Sequence, residues 1–135
     1  MAETRIVERP LSPHLQIYRW PVTMLMSILH RVTGASLYVG TLLVAWWLAA
    51  AGSGPAAYGT VSGFINSWFG RVILFGYTWA LIHHMLGGIR HLIWDTGHGF
   101  GQQEREGLAV ATLVGSITLT LILWLVGYFL VGAPR

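Results

Sequence analysis

The sequence predicts an all-α membrane protein with three transmembrane helices. Two observations lead to this fold class. Of the 135 residues, 54% are hydrophobic and only 10% are charged, whereas a water-soluble domain carries about 25% charged residues. Several segments contain no charge over a length that crosses a bilayer core, which takes about 20 residues. A chain of this length has room for one small domain, so we expect a single transmembrane domain over residues 1–135.

The helices follow from where the uncharged segments begin and end. The first such segment continues up to Arg71, which is too long for one span, and the turn sequence Gly52-Ser53-Gly54-Pro55 divides it. The second segment is interrupted only by His83 and His84, and the third contains no charge. We therefore predict a polar arm over residues 1–20 and helices over about 22–50, 68–95 and 107–132.

Arginine counting predicts the orientation in the membrane. With three spans, the N-terminal arm and the connection between the second and third helices lie on the same side. That side holds six arginines and the other side holds two, which are Arg71 and Arg135. Because basic residues concentrate on the cytoplasmic side, we expect the N-terminus in the cytoplasm. The residues before Pro10 form no apolar signal segment, which favours a bacterial protein inserted by its own helices.

Composition also excludes several classes of function. The chain has no cysteine, so it cannot form a disulfide, a zinc–thiolate site or a cysteine-bound iron–sulfur cluster by itself. All eight basic residues are arginines and they are scattered, whereas a nucleic-acid surface needs a basic patch or stripe. The six histidines are the strongest remaining ligands for a transition metal.

His84 is the most informative residue of the second helix. It lies six residues before Arg90, roughly 9 Å inside the charged boundary, where a polar side chain needs a partner. Its partner is either a neighbouring helix or a haem iron, and spacing alone leaves both open. Gly87 and Gly88 share its face and would let a flat macrocycle approach the backbone. His91 follows seven residues after His84 and lies on the same face, two turns closer to the end of the helix. His83 points about 100° away, which favours a polar contact with a neighbouring helix.

A second polar group begins the first helix. Ser27, His30 and Arg31 are spaced to share one helical face. A serine hydroxyl and a guanidinium can both donate hydrogen bonds to a carbonyl oxygen; the alternative is that Arg31 reaches lipid headgroups. Arg90 and Asp95 could form an ion pair. Residues five apart are not well placed on one face of a helix, however, so at least one of them should point elsewhere.

Three segments of the chain carry a resemblance to a known family. The segments are Arg9-Pro10-Leu11-Ser12-Pro13-His14-Leu15, Ser27-Ile28-Leu29-His30-Arg31-Val32-Thr33-Gly34 and His84-Met85-Leu86-Gly87-Gly88-Ile89-Arg90-His91-Leu92-Ile93-Trp94-Asp95. Together they resemble the cytochrome b subunit of succinate dehydrogenase (complex II), a haem-binding membrane anchor. Their order, their spacing and the chain length agree with that family over the whole sequence.

The resemblance implies a role for each matching residue. His84 is expected to be an axial ligand of haem b, whose other ligand comes from a second small anchor subunit, so that this chain forms half of a haem-bridged bundle. The contacts with quinone are expected from Ser27 and Arg31. The residues expected near the haem and its propionates are His30, Arg31, His91 and Gly88.

The resemblance also implies the function of the complex. Succinate would be oxidised at the FAD of a flavoprotein subunit, and electrons would pass through an iron–sulfur subunit to ubiquinone, joining the tricarboxylic acid cycle to the respiratory chain. This chain would be a subunit of that oxidoreductase in a bacterial inner membrane, with no catalysis of its own. The alternatives are the anchor of a fumarate reductase, a haem-free structural anchor, and a transporter or channel subunit. The last would need polar residues along a pathway, whereas here they cluster at one membrane face.

Overall fold

A computed structural model describes residues 17–132 and contains four helices in that range. They are α1 (Val22–Ser53), α2 (Pro55–Asn66), α3 (Trp68–Asp95) and α4 (Gln102–Val131). The helices α1, α3 and α4 are long and apolar enough to cross a membrane, which confirms the predicted fold class. No strand occurs among residues 17–132. Most of the predicted N-terminal arm lies outside the described residues, as does the first of the three family-like segments.

Proline and glycine determine where α1 ends and α2 begins. The carbonyl of Pro21 accepts hydrogen bonds from the backbone N–H groups of Met24 and Leu25 at 3.0 and 3.2 Å, which starts α1. At the other end, Gly54 has a φ of 112°, a conformation that costs glycine little because it has no Cβ. Pro55 then occupies the first position of α2, where its missing N–H is tolerated. The predicted break therefore separates two helices.

The helix α2 was not predicted. The ring of Phe64 in α2 lies 5.5 Å from that of Trp46 in α1 and 6.3 Å from that of Phe69 in α3. Gly70 lets α3 approach α2, because a Cβ at Gly70 would collide with the carbonyl oxygen of Phe64. These contacts hold α2 against the ends of α1 and α3, opposite the end that carries Ser27.

Small and polar residues line the contact between α3 and α4. The Nδ1 atom of His83 lies 3.1 Å from the hydroxyl oxygen of Ser116, and the indole N–H of Trp124 donates to the hydroxyl of Thr78 at 3.3 Å. Membrane helices associate through such hydrogen bonds and through small side chains, because lipid tails are as apolar as leucine. The contact therefore fixes how α3 is rotated relative to α4.

Glycines bring α1 and α3 together in an antiparallel register. Each of three glycines faces a ring of the opposite helix, and a Cβ at any of them would come within 3 Å of that ring. From the middle of the helices toward the N-terminal end of α1, the pairs are Gly40 with Tyr77, Gly34 with His84, and Gly87 with His30. This register sets the site residues of α1 beside those of α3.

Candidate functional site

The predicted site residues of α1 and the end of α3 line one small cavity. Its volume is about 190 Å³, and it opens where α1 begins and α3 ends. The lining residues are Thr23, Ser27, His30, Arg31, Arg90, His91 and Trp94. The structure thus brings together Ser27, His30, Arg31 and His91, while His84 and Gly88 lie beside the cavity without lining it.

Three imidazole rings form a row at this end of the molecule. His30 stacks on His84, with ring centroids 4.0 Å apart and planes within 3°. On its other side, the centroid of His91 lies 5.2 Å away. His30 can occupy this central position because Gly87 has no side chain there. The expectation that Gly87 leaves room for a macrocycle is therefore wrong, since the His30 ring fills that space.

Gly88 differs from Gly87 because its free side points into open space. No side chain or backbone atom outside its own helix lies within 4 Å of the position that a Cβ would take. A flat ligand can therefore approach the backbone of α3 at Gly88. This is the surface that sequence reasoning assigned to both glycines.

His84 makes a hydrogen bond that defines which of its nitrogens carries the proton. Its Nδ1 atom lies 3.1 Å from the backbone carbonyl oxygen of His30 and 3.5 Å from the hydroxyl oxygen of Thr33. A carbonyl oxygen only accepts, so the Nδ1–H of His84 donates and the neutral ring keeps its lone pair on Nε2. That Nε2 atom has no partner within residues 17–132. Histidines that bind metals characteristically donate their other N–H to a backbone carbonyl or a carboxylate.

His83, the neighbour of His84, is an interior residue. Its side chain is 1% exposed, its Nδ1 contacts Ser116 of α4, and its ring lies 5.2 Å from that of Trp79. This arrangement agrees with the predicted polar contact to a neighbouring helix. His83 therefore points away from the cavity and from the row of imidazoles.

Arg90 supplies a buried positive charge that the sequence analysis did not assign to the site. Its side chain is 4% exposed, and its Nε atom has no hydrogen-bond partner in the described part of the chain. Its guanidinium carbon lies 5.2 Å from the Trp94 ring centroid. Asp95 is exposed and makes no ion pair with Arg90. Because a buried charge without a counter-charge is costly, this end of the cavity favours an anionic group.

Trp94 is held in the wall of the cavity by the connection that follows α3. Its indole N–H donates to the carbonyl oxygen of Gly99 at 3.0 Å, and its ring packs edge-on against His91 at 5.1 Å. Gly97 and Gly99 have φ values of 83° and 82°, which glycine adopts easily. The glycine-rich connection therefore places a rigid aromatic surface under Arg90 and His91.

Two hydroxyl groups of the cavity are free to donate. Elsewhere in α1, the hydroxyls of Thr33, Ser36 and Thr41 donate to carbonyl oxygens of the preceding turn. Thr23 and Ser27 make no such bond, nor any other within residues 17–132. Together with the exposed guanidinium of Arg31, they present hydrogen-bond donors to a ligand in the cavity. This set of donors suits a ligand with carbonyl oxygens or negative charge.

The described residues contain no group of three or more His, Asp or Glu side chains that could hold a metal ion. Within the row of three imidazoles, the nitrogen with a defined lone pair and no hydrogen-bond partner among residues 17–132 is Nε2 of His84. Nε2 of His84 can therefore provide one ligand to a metal ion at that point.

Comparisons with known proteins identify the family. A family model described as the succinate dehydrogenase/fumarate reductase transmembrane subunit matches residues 5–123. The chain belongs to this family. It is 41% identical to the succinate dehydrogenase cytochrome b556 subunit of Paracoccus denitrificans, over 90% of this chain and 94% of that protein. It is 36% identical to the cytochrome b556 subunit of Rickettsia felis, over 87% and 91% of the two chains.

The chain is also similar to a mitochondrial protein. The succinate dehydrogenase cytochrome b560 subunit of Bos taurus is 37% identical over 79% of this chain and 66% of its own length. The region that matches the family includes α1, α2, α3 and most of α4, and so contains every residue that lines the cavity. The site described above therefore lies in the part of the chain that defines the transmembrane subunit family.

Sequence reasoning missed several residues of this site. Arg90 and Trp94 belong to the third family-like segment, and Thr33 and Gly34 lie at the end of the second, but none of the four was assigned to the site. Their contacts depend on the register between α1 and α3, which no local pattern encodes. Thr23 carries no signal beyond its position one helical turn before Ser27.

Proposed function

We propose that this chain is the cytochrome b membrane anchor of a bacterial succinate dehydrogenase, which binds haem b and forms part of the ubiquinone-reduction site. The observation that carries the proposal is the geometry of His84, whose Nδ1–H donates to a backbone carbonyl while Nε2 has no partner within residues 17–132. Family membership and the names of the relatives support the same assignment.

In this proposal, Nε2 of His84 is one axial ligand of haem b, and a second small anchor subunit supplies the other. Gly88 offers the open backbone surface beside that ligand. His30, Arg31 and His91 lie at the end of the site where propionates would be held, and Arg90 adds a buried positive charge there. With two histidine ligands, bound haem would accept and return single electrons without an open position for oxygen.

Ubiquinone is proposed to bind where Ser27 and Arg31 face the cavity. The Ser27 hydroxyl makes no hydrogen bond within residues 17–132 and can donate to a quinone carbonyl oxygen. The guanidinium of Arg31 stabilises the negative charge that a quinone gains with an electron. A lipid-soluble quinone can reach this position from the bilayer, because α1 is exposed at both residues.

The other subunits are proposed to meet this chain on the cytoplasmic side. Six of the eight arginines belong to the side that carries Ser27 and His91, which by the positive-inside rule faces the cytoplasm. We expect the N-terminus there. An iron–sulfur subunit would approach this face and deliver electrons that a FAD-containing flavoprotein subunit takes from succinate. The chain itself would be a non-catalytic subunit of this inner-membrane oxidoreductase.

A fumarate reductase anchor is the second candidate, because the family description includes both enzymes. The relatives described above are named for succinate dehydrogenase, which favours succinate oxidation. A haem-free structural anchor is a weaker candidate, since it gives no reason for the hydrogen bond that leaves Nε2 of His84 available.

A visible difference spectrum of the gently solubilised native complex tests the proposal. We expect a b-type haem band that grows when succinate is added to the oxidised complex. A band that appears only with dithionite would keep the haem but leave succinate unproved as its donor, because a low haem potential and a fumarate reductase anchor both give this result. No haem band with either reductant would contradict the assignment of His84 and leave the structural anchor.

A further inference from the structure

One turn of α1 forms a seat for the ring of His84. The seat, called the α1 seat below, consists of the backbone carbonyl of His30, the hydroxyl of Thr33 and the bare Cα of Gly34. All three belong to the same stretch of helix, because Gly34 follows His30 by four residues and so lies on the same face. The ring of His84 contacts each of them.

Gly34 provides the space that the ring occupies. A Cβ built on Gly34 would lie 2.9 Å from Cε1 of His84, 3.4 Å from Nδ1 and 3.8 Å from Nε2. The first of these distances is shorter than carbon atoms tolerate, so any other residue would push the ring away from α1. The position of the Nε2 lone pair would then change with it. Gly34 therefore affects His84 only by leaving space for its ring.

Thr33 contributes the second acceptor for the imidazole N–H. Its side chain is 2% exposed, and its hydroxyl lies 2.8 Å from the carbonyl oxygen of Leu29 and 3.0 Å from that of His30. The hydroxyl proton is used in those bonds, which leaves an oxygen lone pair directed to Nδ1 of His84 at 3.5 Å. The Nδ1–H thus faces two oxygen acceptors on α1.

We propose that the α1 seat fixes the orientation and the proton position of His84, and thereby sets the reduction potential of the haem that this residue binds. Gly34 and Thr33 are positioning residues in this inference, which rests on the function proposed above. The family comparison matches these residues but does not say what they do.

The physical basis is that a hydrogen-bonded imidazole is a stronger electron donor. When Nδ1–H donates to an acceptor, electron density shifts toward Nε2, and this raises the basicity of the ligand. A more basic ligand stabilises oxidised iron relative to reduced iron, so the potential falls. Removing an acceptor should raise the potential, and rotating the ring should alter how the ligand overlaps with the iron orbitals.

The experiment compares Gly34→Ala with Gly76→Ala in the purified complex. Both substitutions add one methyl group to a spanning helix, but the first meets His84, whereas the second, on α3, meets no atom within 4 Å. The measurements are haem per complex, the midpoint potential from a redox titration, and the low-spin electron paramagnetic resonance signal of the oxidised haem. We expect Gly34→Ala to shift the potential and the resonance signal, and Gly76→Ala to leave both at the wild-type values.

Thr33→Val keeps the test decisive if Gly34→Ala does not assemble. Valine has nearly the shape of threonine and replaces only the hydroxyl group by a methyl group. We expect a full content of haem with a raised midpoint potential. Wild-type potentials and resonance signals in Thr33→Val, and in Gly34→Ala wherever it assembles, would overturn the inference.

A separate variant distinguishes this failure from failure of the proposed function. If His84→Ala lost its haem while the α1 seat variants matched wild type, His84 would remain the ligand and only the seat would be refuted. If His84→Ala kept an unchanged haem spectrum, the ligand assignment itself would be wrong and the seat would have nothing to position.

Discussion

His83 and His84 are adjacent in the sequence and lie in different environments. His83 faces α4, where its side chain is buried and its Nδ1 contacts Ser116. His84 faces α1, is partly exposed, and leaves Nε2 without a partner within residues 17–132. The helical rotation of about 100° between neighbours separates them. His83 links two helices of this chain, whereas Nε2 of His84 is the atom that we propose as a haem ligand.

The comparison teaches that burial alone does not single out the histidine that we propose as the haem ligand. His83 is the more buried of the two, and a search for unusual polar residues inside a membrane helix would select it first. Its hydrogen bond to α4 gives the burial a structural explanation. The better indicator at this site is a polar atom that is held in a fixed position but has no hydrogen-bond partner among residues 17–132. Nε2 of His84 and Nε of the buried Arg90 are two such atoms.

The largest expected effect separates the two histidines directly. We predict that His84→Ala removes nearly all haem from the purified complex, because no other described histidine offers an equivalent nitrogen to the same point. His83→Ala should keep its haem, because that ring points to α4. Haem per complex, measured by pyridine haemochrome absorbance against protein content, checks both. Loss of haem in His83→Ala with retention in His84→Ala would reverse the assignment.

The next effect concerns the cavity on the α1 side. We predict that Arg31→Ala lowers ubiquinone reductase activity by roughly 10–150-fold, since a hydrogen bond to a charged group is worth about 1.5–3 kcal/mol. Succinate oxidation with an artificial dye, which bypasses the quinone site, should stay near wild type. Equal loss of both activities would indicate an assembly role instead.

A smaller effect is expected for the neighbouring hydroxyl. Ser27→Ala should reduce ubiquinone reductase activity by up to about 10-fold, because a neutral hydrogen bond contributes about 1 kcal/mol. Ser36→Ala is the matched control, since its hydroxyl on the same helix donates to the carbonyl of Val32 and does not line the cavity that contains Ser27. A decrease of the same size in both variants would argue against a quinone contact at Ser27.

The smallest effect belongs to the α3–α4 contact. We predict that Ser116→Ala lowers stability by about 1 kcal/mol, the usual size of a hydrogen bond between membrane helices. Heating the purified complex and following the loss of haem absorbance measures this change. Thr118→Ala on the exposed face of α4 is the control. A quinone-specific defect in Ser116→Ala would show that His83 reaches the site after all.

Local sequence patterns were sufficient to predict the spanning helices. Length and absence of charge are properties of a segment by itself, so α1, α3 and α4 could be located approximately. The helix α2 could not, because its 12 residues are too short for a span and its position depends on the contact of Phe64 with Trp46. The beginning of α4 at Gln102 was placed late for a related reason. Its first turn is polar, and the carboxylate of Glu104 accepts the N–H of Gly101 at 3.1 Å.

For the candidate site, the sequence was sufficient to predict which residues share one face of a helix. Helical spacing groups Ser27, His30 and Arg31, and it separates His83 from His84. It does not reveal that the His30 ring fills the gap at Gly87, since that contact requires the register between α1 and α3. For the same reason, Arg90 could be matched with Asp95 only as a possibility, and the structure instead sets its guanidinium against Trp94.

Chemical rescue of the missing ligand would test the assignment of His84 most directly. His84→Gly leaves a cavity the size of an imidazole beside Gly34, so free imidazole added to the complex can enter it and bind the iron. We predict that haem is lost from His84→Gly and that a low-spin b-type spectrum returns when haem and imidazole are supplied together. A complex of His84→Gly that keeps its native haem spectrum without imidazole would contradict the account.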